Sequence, residues 1–462
     1  MTAVATSRPA RPVGGRRAVF GVAFAALVVL ALVLRLLYVD ATPGYVLRHD
    51  ARDYELHAQS VALGEGYSRH VAYGRPTAFR PPGYPYFLAG VYKLAGVERA
   101  PSGERIHTAR VAQAYVGAAA VALIGLLAAL LWGPLTALVA TALGAVYVPL
   151  ITVGGSVMSE PLFVVAMLAA VIAAVGYRRS RHRYRYAVLA GVLAGLAILT
   201  RANAIILLAP LAFAVWDGRP RSARRSLGPP AALIAAALLT LTPWTIRNAE
   251  VLHAFVPVST QLGSSLAGTY NDMARTDPVN PGAWRSIKHV PQYASLWRTV
   301  RATPEPVVEQ RLRRTALEYV SDHPLYVAQV GYWNTARMLD LAGRRRWRAT
   351  AATITIDARW ADRGVWCFWA FALVAVAGAF TARARRLPAW LWAVPALVFL
   401  SLVFLAVETP RYRTALDPFV VLLAAVAVTA AGRALGRRAI RPAGSAHGRE
   451  QADRADRRPR LV

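Results

Sequence analysis

Two charged residues in one polar segment near the start of the chain could carry out transfer chemistry. The segment spans residues 49–93 and interrupts a mostly apolar sequence. Asp50 stands at its beginning, and Arg80 precedes Pro81-Pro82, whose rings favour rigid extended backbone. A carboxylate can take a proton from a hydroxyl, and a fixed guanidinium can bind two phosphate oxygens. The two residues therefore suggest chemistry on a phosphate-bearing substrate, although Arg80 could instead form an ion pair with a nearby aspartate.

The element that positions Asp50 is predicted to be a helix over residues 50–63, because its apolar residues recur at helical spacing and Gly64 is a typical stop. Asp50, Asp53 and His57 share another face of this helix. The helix dipole keeps a carboxylate ionised at Asp50, a position that also suits an N-cap residue. These three side chains could bind a divalent cation, but their spacing is weak evidence for it. We therefore predict no metal site and no cofactor, and leave a divalent cation as an alternative.

The composition is typical of a membrane protein. Of 462 residues, 56% are hydrophobic and 17% are charged, more apolar surface than a soluble domain can bury. The net charge of +30 raises the possibility of nucleic-acid binding. The arginines cluster beside apolar runs, however, which fits anionic lipid headgroups and membrane topology better, so no nucleic-acid partner is expected. The single cysteine, Cys367, excludes an intramolecular disulfide.

The apolar runs predict an all-α polytopic membrane protein with about ten transmembrane helices. They cover residues 18–39, 108–132, 134–151, 157–176, 187–200, 203–216, 229–246, 364–381, 388–407 and 414–431. The two runs at 187–200 and 203–216 are short and could form a re-entrant hairpin. We predict a cytoplasmic N-terminus over 1–17, a catalytic transmembrane domain over 18–432 and a basic, disordered cytoplasmic tail over 433–462.

Charge sets the expected orientation in the cell membrane. Basic clusters at the N-terminus, at 178–185, 219–225 and 383–386, and in the tail all fall on one side, which the positive-inside rule makes cytoplasmic. Two long segments, about 40–107 and 247–363, then lie outside and bear juxtamembrane helices. The second contains the basic run 344–348 (RRRWR). We expect 323–342 to lie on the membrane rather than cross it, because its polar residues would be costly in hydrocarbon.

On this topology, polar residues from five chain segments meet at the outer boundary of the membrane. Any one of them could be a helix cap or a snorkelling side chain, but their coincidence suggests a cleft for an anionic group. The predicted phosphate-binding residues are Arg80, Arg201, Arg247, Arg411 and Arg413. The possible supporting residues are Asp53, Tyr54, His57, Tyr84, Glu160, Asn248 and Glu408.

The chain resembles GT-C class glycosyltransferases of family 39, the group of protein O-mannosyltransferases and aminoarabinose transferases. The resemblance covers about residues 18–432. It rests on HDARDYELHAQSVALGEGYS, TAFRPPGYPYFLAGVY, VMSEPLF, LTRANAIILLAP, TPWTIRNAEVLHAFVPVST and ETPRYRTALDPF. It implies that Asp50 is the catalytic carboxylate, that Arg80 contacts the donor phosphate and that Arg411–Arg413 lie near the donor. Phe79 and Ala51 depart from the patterns of the two branches, so neither branch's sugar or acceptor is transferred to this chain.

The predicted function is transfer of a sugar from a polyprenyl-phosphate donor to a hydroxyl of a protein, glycan or lipid at the outer face of the membrane. A single displacement with Asp50 as general base would invert the anomeric carbon. The alternative is a transporter or flippase of an anionic or lipid-linked substrate, which would need polar residues at mid-bilayer. A non-catalytic scaffold that binds envelope lipids is a third possibility.

Overall fold

The structure is a computed structural model that describes residues 13–69, 74–217, 223–405 and 410–440. These ranges consist of helices and connecting turns, with an isolated antiparallel bridge between Ser68 and Pro76 and no strand. The predicted all-α class is therefore confirmed.

Twenty α-helices occur in the described ranges. The first ten are α1 (Val13–Asp40), α2 (His49–Ala62), α3 (Gly83–Ala95), α4 (Ser102–Trp132), α5 (Pro134–Val146), α6 (Val148–Gly154), α7 (Glu160–Arg179), α8 (Arg183–Thr200), α9 (Leu208–Val215) and α10 (Ala223–Leu252). The others are α11 (Gln261–Thr269), α12 (Asp272–Arg275), α13 (Ala294–Thr299), α14 (Glu305–Asp322), α15 (Pro324–Met338), α16 (Arg344–Thr353), α17 (Ala358–Ala379), α18 (Ala382–Arg385), α19 (Ala389–Val403) and α20 (Asp417–Ile440). A 3-10 helix at Ala202–Leu207 precedes α9, and another at Pro410–Ala415 precedes α20.

Seven of the described helices are long and apolar enough to cross a membrane, in α1, α4, α7, α8, α10, α17 and α20. The pair α5 and α6, bent by 59°, would make an eighth span. The segments Ala202–Val215 and Ala389–Val403 are apolar but shorter. The chain is thus a polytopic membrane protein, and each predicted apolar run falls in an apolar helix. The count of ten crossings is not confirmed, because a helix needs about 20 residues to span the hydrocarbon core.

The ends of the chain differ in part from the prediction. Helix α1 begins at Val13, inside the predicted N-terminal segment, and α20 continues to Ile440, beyond the predicted start of a disordered tail. The residues after 432 include Ala, Leu and Arg, which favour helix, so the last span extends without a break. Residues 1–12 and 441–462 lie outside the described residues, and the predicted domain boundaries stay predictions.

Small residues let the central helices pack closely. A Cβ at Gly191 would lie 2.2 Å from the carbonyl oxygen of Leu233, and one at Gly195 would lie 2.6 Å from the Cβ of Thr240. Because only glycine fits at these two positions, the backbones of α8 and α10 can approach closely. The crossing fixes the end of α8, where Arg201 follows.

The break between α5 and α6 and the connection from α6 to α7 leave backbone carbonyls inside the bundle, and buried side chains bind them. Arg35 donates to the carbonyl of Gly144 (3.5 Å), and Arg110 donates to that of Gly155 (2.7 Å). Gln113 donates to the carbonyls of residues 156 and 158 at 3.1 and 2.6 Å. Since an unpaired carbonyl is costly away from water, these contacts stabilise the irregular backbone that leads into α7.

Charges separate along the helix axes. Helix α7 begins at Glu160 and ends at Arg179, and α8 begins at Arg183 and ends beside Arg201. The basic cluster at 178–185 therefore lies at the opposite end of the bundle from Glu160. The cluster at 383–386 lies there too, because Trp132 at the end of α4 donates to the carbonyl of Arg383, and Arg179 donates to that of Leu130. Which end faces the cytoplasm stays a prediction.

Helices α11, α14 and α15 pack around a small core of their own that includes Tyr270 and Tyr326. Helix α15 has 15 residues and is not among the spans, as expected for 323–342. Its buried Asn334 donates to the carbonyls of Val403 (2.8 Å) and Leu405 (2.7 Å). The polar side of this helix thus faces the end of α19.

Candidate active site

Asp50 lies in the first turn of α2, and the core holds this helix in place. Ala51, Tyr54 and Ala58 are buried in one apolar cluster. Behind them, the buried carboxylate of Glu55 binds Arg105 of α4 at 2.7 Å. The helix ends one residue before Leu63, and Gly64 has a φ of +81°, so the predicted helix and its stop are confirmed. Because Arg48 is the N-cap residue, the side chain of Asp50 is free to face the site.

Arg80 is positioned by a tight approach of its own segment to α8. Pro81-Pro82 leads into α3 at Gly83, where a Cβ would lie 2.8 Å from the hydroxyl of Thr200 and 2.9 Å from the carbonyl of Leu199. Only a glycine permits this contact. The segment that carries Arg80 is therefore fixed against the end of α8, next to Arg201.

Asp50 bridges two arginines that are far apart in sequence. One of its oxygens accepts a hydrogen bond from Nη2 of Arg80 at 2.6 Å. Its other oxygen accepts one from Nη2 of Arg411, in the 3-10 helix before α20. The predicted proximity of Asp50, Arg80 and Arg411 is therefore observed, and the ion pair considered as an alternative role for Arg80 is formed.

A second carboxylate lies on the other side of Arg411. Glu160, the first residue of α7, is 3.5 Å from Nε of Arg411 and 2.8 Å from Nη1 of Arg201. Arg201 also donates to the hydroxyl of Ser159, which lies 3.2 Å from that of Tyr54. Hydrogen bonds and ion pairs thus link α2, α7, the end of α8 and the 3-10 helix before α20.

The third carboxylate, Asp53, completes this group. It binds Nε of Arg80 at 2.7 Å and Arg69 at 2.8 Å. We call Asp50, Asp53, Arg69, Arg80, Glu160, Arg201 and Arg411 the charged cluster. Its four arginines and three carboxylates leave one formal positive charge. Asp50 has 23% of its side chain exposed, against 8% for Asp53 and 4% for Glu160, so it is the carboxylate that a substrate can best reach.

The arginines control the protonation of both aspartates. Burial by itself would raise the pKa of Asp50, but Arg80 and Arg411 outweigh it and hold this pKa well below its usual range. Burial opposes ionisation of Asp53 in the same way, and Arg80 and Arg69 lower its pKa. Both groups are therefore carboxylates at neutral pH, and the cluster remains a network of ion pairs.

His57 and Tyr84, two of the possible supporting residues, are buried beneath the cluster. Nδ1 of His57 lies 2.6 Å from the carbonyl oxygen of Asp53 and therefore carries the proton of this hydrogen bond. Nε2 has no partner among the described residues. Burial lowers the pKa of His57 to about 4, so its ring is neutral. Tyr84 packs edge-on against Tyr54 with ring centroids 5.1 Å apart, which supports the helix rather than the reacting groups.

The structure places Arg247 and Asn248 beside the loop that leads to Arg80. Arg247 donates to the carbonyls of Thr77 (2.8 Å) and Tyr67 (3.2 Å), and Asn248 donates to that of Val256 (2.9 Å). Neither contacts a carboxylate of the charged cluster. Both therefore hold backbone in this structure, and their assignment to phosphate binding or support stays a prediction.

Arg413 points away from the charged cluster. Its guanidinium binds Asp340 at 2.7 Å and Asp417 at 3.1 Å, and Tyr147 donates to Asp417 at 3.0 Å. We call these four residues the sealed cluster, because Arg413, Asp340 and Asp417 are each at most 4% exposed. The predicted contact of Arg413 with a donor phosphate stays a prediction. Glu408 lies outside the described residues.

Glu305 was missed by the sequence analysis. It is the first residue of α14 and accepts hydrogen bonds from the hydroxyl of Thr77 (2.5 Å), the amide of Ala78 (2.9 Å) and the hydroxyl of Thr260 (2.6 Å). It therefore ties the segment before Arg80 to the start of α14 and to Thr260. Pro304-Glu305 has the pattern of a helix start, but no sequence signal shows what the carboxylate reaches.

Within the described residues, no group of three or more His, Cys, Asp or Glu side chains is arranged to hold a metal ion. Asp50 and Asp53 instead bind arginines.

Part of the chain matches a known protein family. Residues 79–247 match the family model described as dolichyl-phosphate-mannose-protein mannosyltransferase. The matched stretch is somewhat over a third of the chain and contains Arg80, Glu160 and Arg201 but not Asp50 or Arg411. Comparison with curated protein sequences gives no match.

Solved structures share the architecture. The apo oligosaccharyltransferase of Archaeoglobus fulgidus matches with a TM-score of 0.52 and 15% identity over 96% of this chain and 53% of that chain. The same enzyme tethered to an acceptor peptide with the NVT sequon matches with a TM-score of 0.51 and 14% identity over 88% of this chain and 49% of that chain. The chain shares the fold of this oligosaccharyltransferase. The shared fold and the matched family model support the resemblance to the GT-C class.

This chain spans about half the length of these oligosaccharyltransferase chains. ArnT from Cupriavidus metallidurans bound to undecaprenyl phosphate is a more distant match, with a TM-score of 0.41 and 16% identity over 90% of this chain and 78% of that chain. At identities this low, the match to the oligosaccharyltransferase structures establishes a shared fold only, and activity has to be argued from the site.

Proposed function

We propose that the chain transfers a sugar from a polyprenyl-phosphate donor to an acceptor hydroxyl at the outer face of the cell membrane. The observation that carries this proposal is the position of Asp50, a partly exposed carboxylate held between Arg80 and Arg411 at the end of a bundle with the GT-C fold. The matched family model and the fold support the same class of reaction. The sugar and the acceptor (protein, glycan or lipid) are not specified by this site.

The reaction that fits these groups is a single displacement. The acceptor oxygen forms a bond to the anomeric carbon while its proton passes to Asp50. The bond from that carbon to the phosphate oxygen breaks, and its electron pair leaves with polyprenyl phosphate. Because the acceptor attacks opposite the leaving group, the anomeric configuration inverts. Proton removal by a positioned base contributes roughly 10²–10⁴ in rate.

The arginines supply the electrostatic part of the reaction. Arg80 and Arg411 are buried and hydrogen-bonded to acids, so they are already oriented when a phosphate arrives. Arg201 adds a third cation beside Glu160. The one positive charge of the charged cluster suits a phosphodiester, which carries one negative charge. When the donor phosphate binds to Arg80 and Arg411, it weakens their hold on Asp50, and the pKa of Asp50 rises towards that of a useful base.

The test is the Asp50→Asn variant, assayed with a radiolabelled polyprenyl-phosphate sugar in proteoliposomes. We expect the rate of transfer to fall by about 10²-fold or more, because the amide cannot accept the proton. Donor binding should remain, since Arg80 and Arg411 are unchanged. Asp322→Asn, at an exposed residue, is the matched control and should transfer normally.

Two outcomes would overturn the proposal. Near-normal transfer by Asp50→Asn would remove this carboxylate from the chemistry. Movement of the labelled lipid across the vesicle membrane without any transfer, unchanged in the variant, would indicate a flippase instead.

A further inference from the structure

The basic run Arg344–Arg348 takes no part in the charged cluster, yet it lies at the same end of the bundle. Helix α16, which contains the run, packs Ala351 against the apolar cluster that supports α2. Just after it, the hydroxyl of Thr355 donates to the carbonyl of Val46 at 2.7 Å. The run is therefore fixed close to the helix that carries Asp50.

One aspartate joins α16 to the start of α17. Asp362 binds Arg344 at 2.9 Å, Nε of Arg348 at 2.8 Å and the indole nitrogen of Trp347 at 2.9 Å. All three contacts come from residues of α16, and all three reach the carboxylate of Asp362 in α17. The two helices therefore present a fixed surface.

Around this joint, the positive charge exceeds the negative charge. Arg345, Arg359 and Arg363 are exposed, and the side chain of Arg359 is 86% exposed with a single weak ion pair to Asp357 at 3.5 Å. We call Arg344, Arg345, Arg348, Arg359 and Arg363 the arginine shelf. Among the described residues, its five arginines pair with two carboxylates, those of Asp357 and Asp362, so three positive charges of the shelf have no acidic partner there.

The shelf lies where a membrane surface would be. Helix α17 is one of the candidate spans, and Arg359 and Arg363 lie in its first two turns. Trp366, one turn further, has 72% of its surface exposed. Arg363 lies over the ring of Trp360 at 4.9 Å. Tryptophan beside arginine at the end of a span is typical of the interface between hydrocarbon and headgroups.

We propose that the arginine shelf binds the headgroups of anionic phospholipids next to the charged cluster. Guanidinium groups bind phosphate oxygens in pairs, and basic residues near an anionic membrane surface each contribute attraction of about 1 kcal/mol. A zwitterionic headgroup carries no net charge to satisfy the excess. The shelf therefore selects the charge of the lipid and not simply its phosphate. This inference does not depend on sugar transfer.

The experiment uses the full chain in nanodiscs and measures the association of spin-labelled phosphatidylglycerol relative to spin-labelled phosphatidylcholine. The test variant replaces Arg344, Arg345, Arg359 and Arg363 with Gln. The matched control replaces Arg298, Arg301, Arg311 and Arg314 with Gln. These arginines are exposed and lie outside α16 and α17, and their replacement removes the same amount of positive charge as the shelf variant does. A third variant replaces the four shelf residues with Lys.

We expect the preference for phosphatidylglycerol to fall by roughly fivefold or more in the Gln shelf variant, to persist in the control and to be largely kept by the Lys variant. High salt should weaken it. If the Gln variant does not fold, the double variant Arg345→Gln/Arg359→Gln, which spares both pairs with Asp362, carries the test with a smaller fall. An unchanged preference, or an equal loss in the control, would overturn the proposal. So would displacement of the lipid by millimolar inorganic phosphate, which would indicate an anion site without lipid selection.

Discussion

Arg411 and Arg413 stand two residues apart in one 3-10 helix, yet they belong to clusters with different properties. Arg411 reaches the charged cluster, whose Asp50 is 23% exposed. Arg413 reaches the sealed cluster, where Asp340 and Asp417 are 1% and 2% exposed. Both arginines are themselves buried. The difference lies in their acidic partners. Of these four carboxylates, only that of Asp50 is exposed enough to be approached from outside.

This contrast separates two roles of the same residue type. In the charged cluster, a substrate phosphate can compete with a carboxylate for the guanidinium. In the sealed cluster nothing can replace the carboxylates, so Arg413 links the end of α15 to the start of α20. Buried ion pairs of this second kind add little net stability but are costly to break.

The largest expected effect is the loss of stability when Arg413 is replaced, and it tests the contrast between the sealed cluster and the charged cluster. Arg413→Met leaves Asp340 and Asp417 without their cation, and we expect a loss of about 3–5 kcal/mol in the free energy of unfolding. Arg411→Met should cost less, because Asp50 keeps Arg80 and Glu160 keeps Arg201, yet sugar transfer should be lost. Thermal unfolding in detergent, with the transfer assay, measures both.

Equal destabilisation by the two substitutions would contradict the distinction. The same would follow if Arg413→Met unfolded normally but Arg411→Met did not. Full transfer activity in Arg411→Met would remove this arginine from donor binding.

A second prediction concerns His57, the buried histidine of α2. His57 has a pKa of about 4 when folded, chiefly because of burial, although Asp53 faces it, and about 6.5 when unfolded. Arg69 and Arg80 also face it, together with the ring of Tyr67 at 4.6 Å. Between these pH values the unfolded chain binds a proton that the folded protein does not. Stability should therefore fall by about 3 kcal/mol as the pH drops from 6.5 to 4.

The measurement compares unfolding temperatures at pH 7 and pH 5. The His57→Asn variant should lose most of this dependence, whereas His107→Asn, at an exposed histidine, should retain it. If His57→Asn and the unaltered protein respond alike to pH, another group is responsible.

The smallest expected effect tests how Arg80 is held. Glu305→Ala removes an acceptor from two hydroxyls and one amide, and we expect a loss of about 1–3 kcal/mol in stability. Because Arg80 follows the freed segment closely, kcat/KM should fall roughly tenfold. Glu309→Ala, which removes only a 3.7 Å pair with Arg313, serves as the control and should change neither quantity. Loss of stability with unchanged kcat/KM would show that Glu305 supports the fold without positioning Arg80.

Local patterns allowed much of this fold to be predicted. The apolar runs lie in apolar helices, the helix of Asp50 ends at its glycine, and Arg80 pairs with both nearby aspartates. These features depend on residues close in sequence, or on side-chain types that a short segment reveals. The same patterns leave the number of spans unconfirmed, because hydropathy does not determine whether a helix of 14 or 15 residues crosses the membrane.

Contacts between remote segments were harder to predict. Arg411 and Arg413 were assigned one role, since sequence shows no sign that a 3-10 helix turns them towards different partners. Glu305 and Asp340 meet their partners across 228 and 73 residues. The position of Asp50 between Arg80 and Arg411, on which the proposed chemistry depends, exists only after these segments have packed.

The ion pair between Asp50 and Arg411 joins residues 361 positions apart. During synthesis, a ribosome must translate 361 further residues after Asp50 before the second arginine of this bridge exists. Translation products that stop before Arg411 could insert most of their helices and still lack a complete acid–base centre. In the proposed function, the site is therefore completed only after nineteen of the twenty described α-helices have been synthesised.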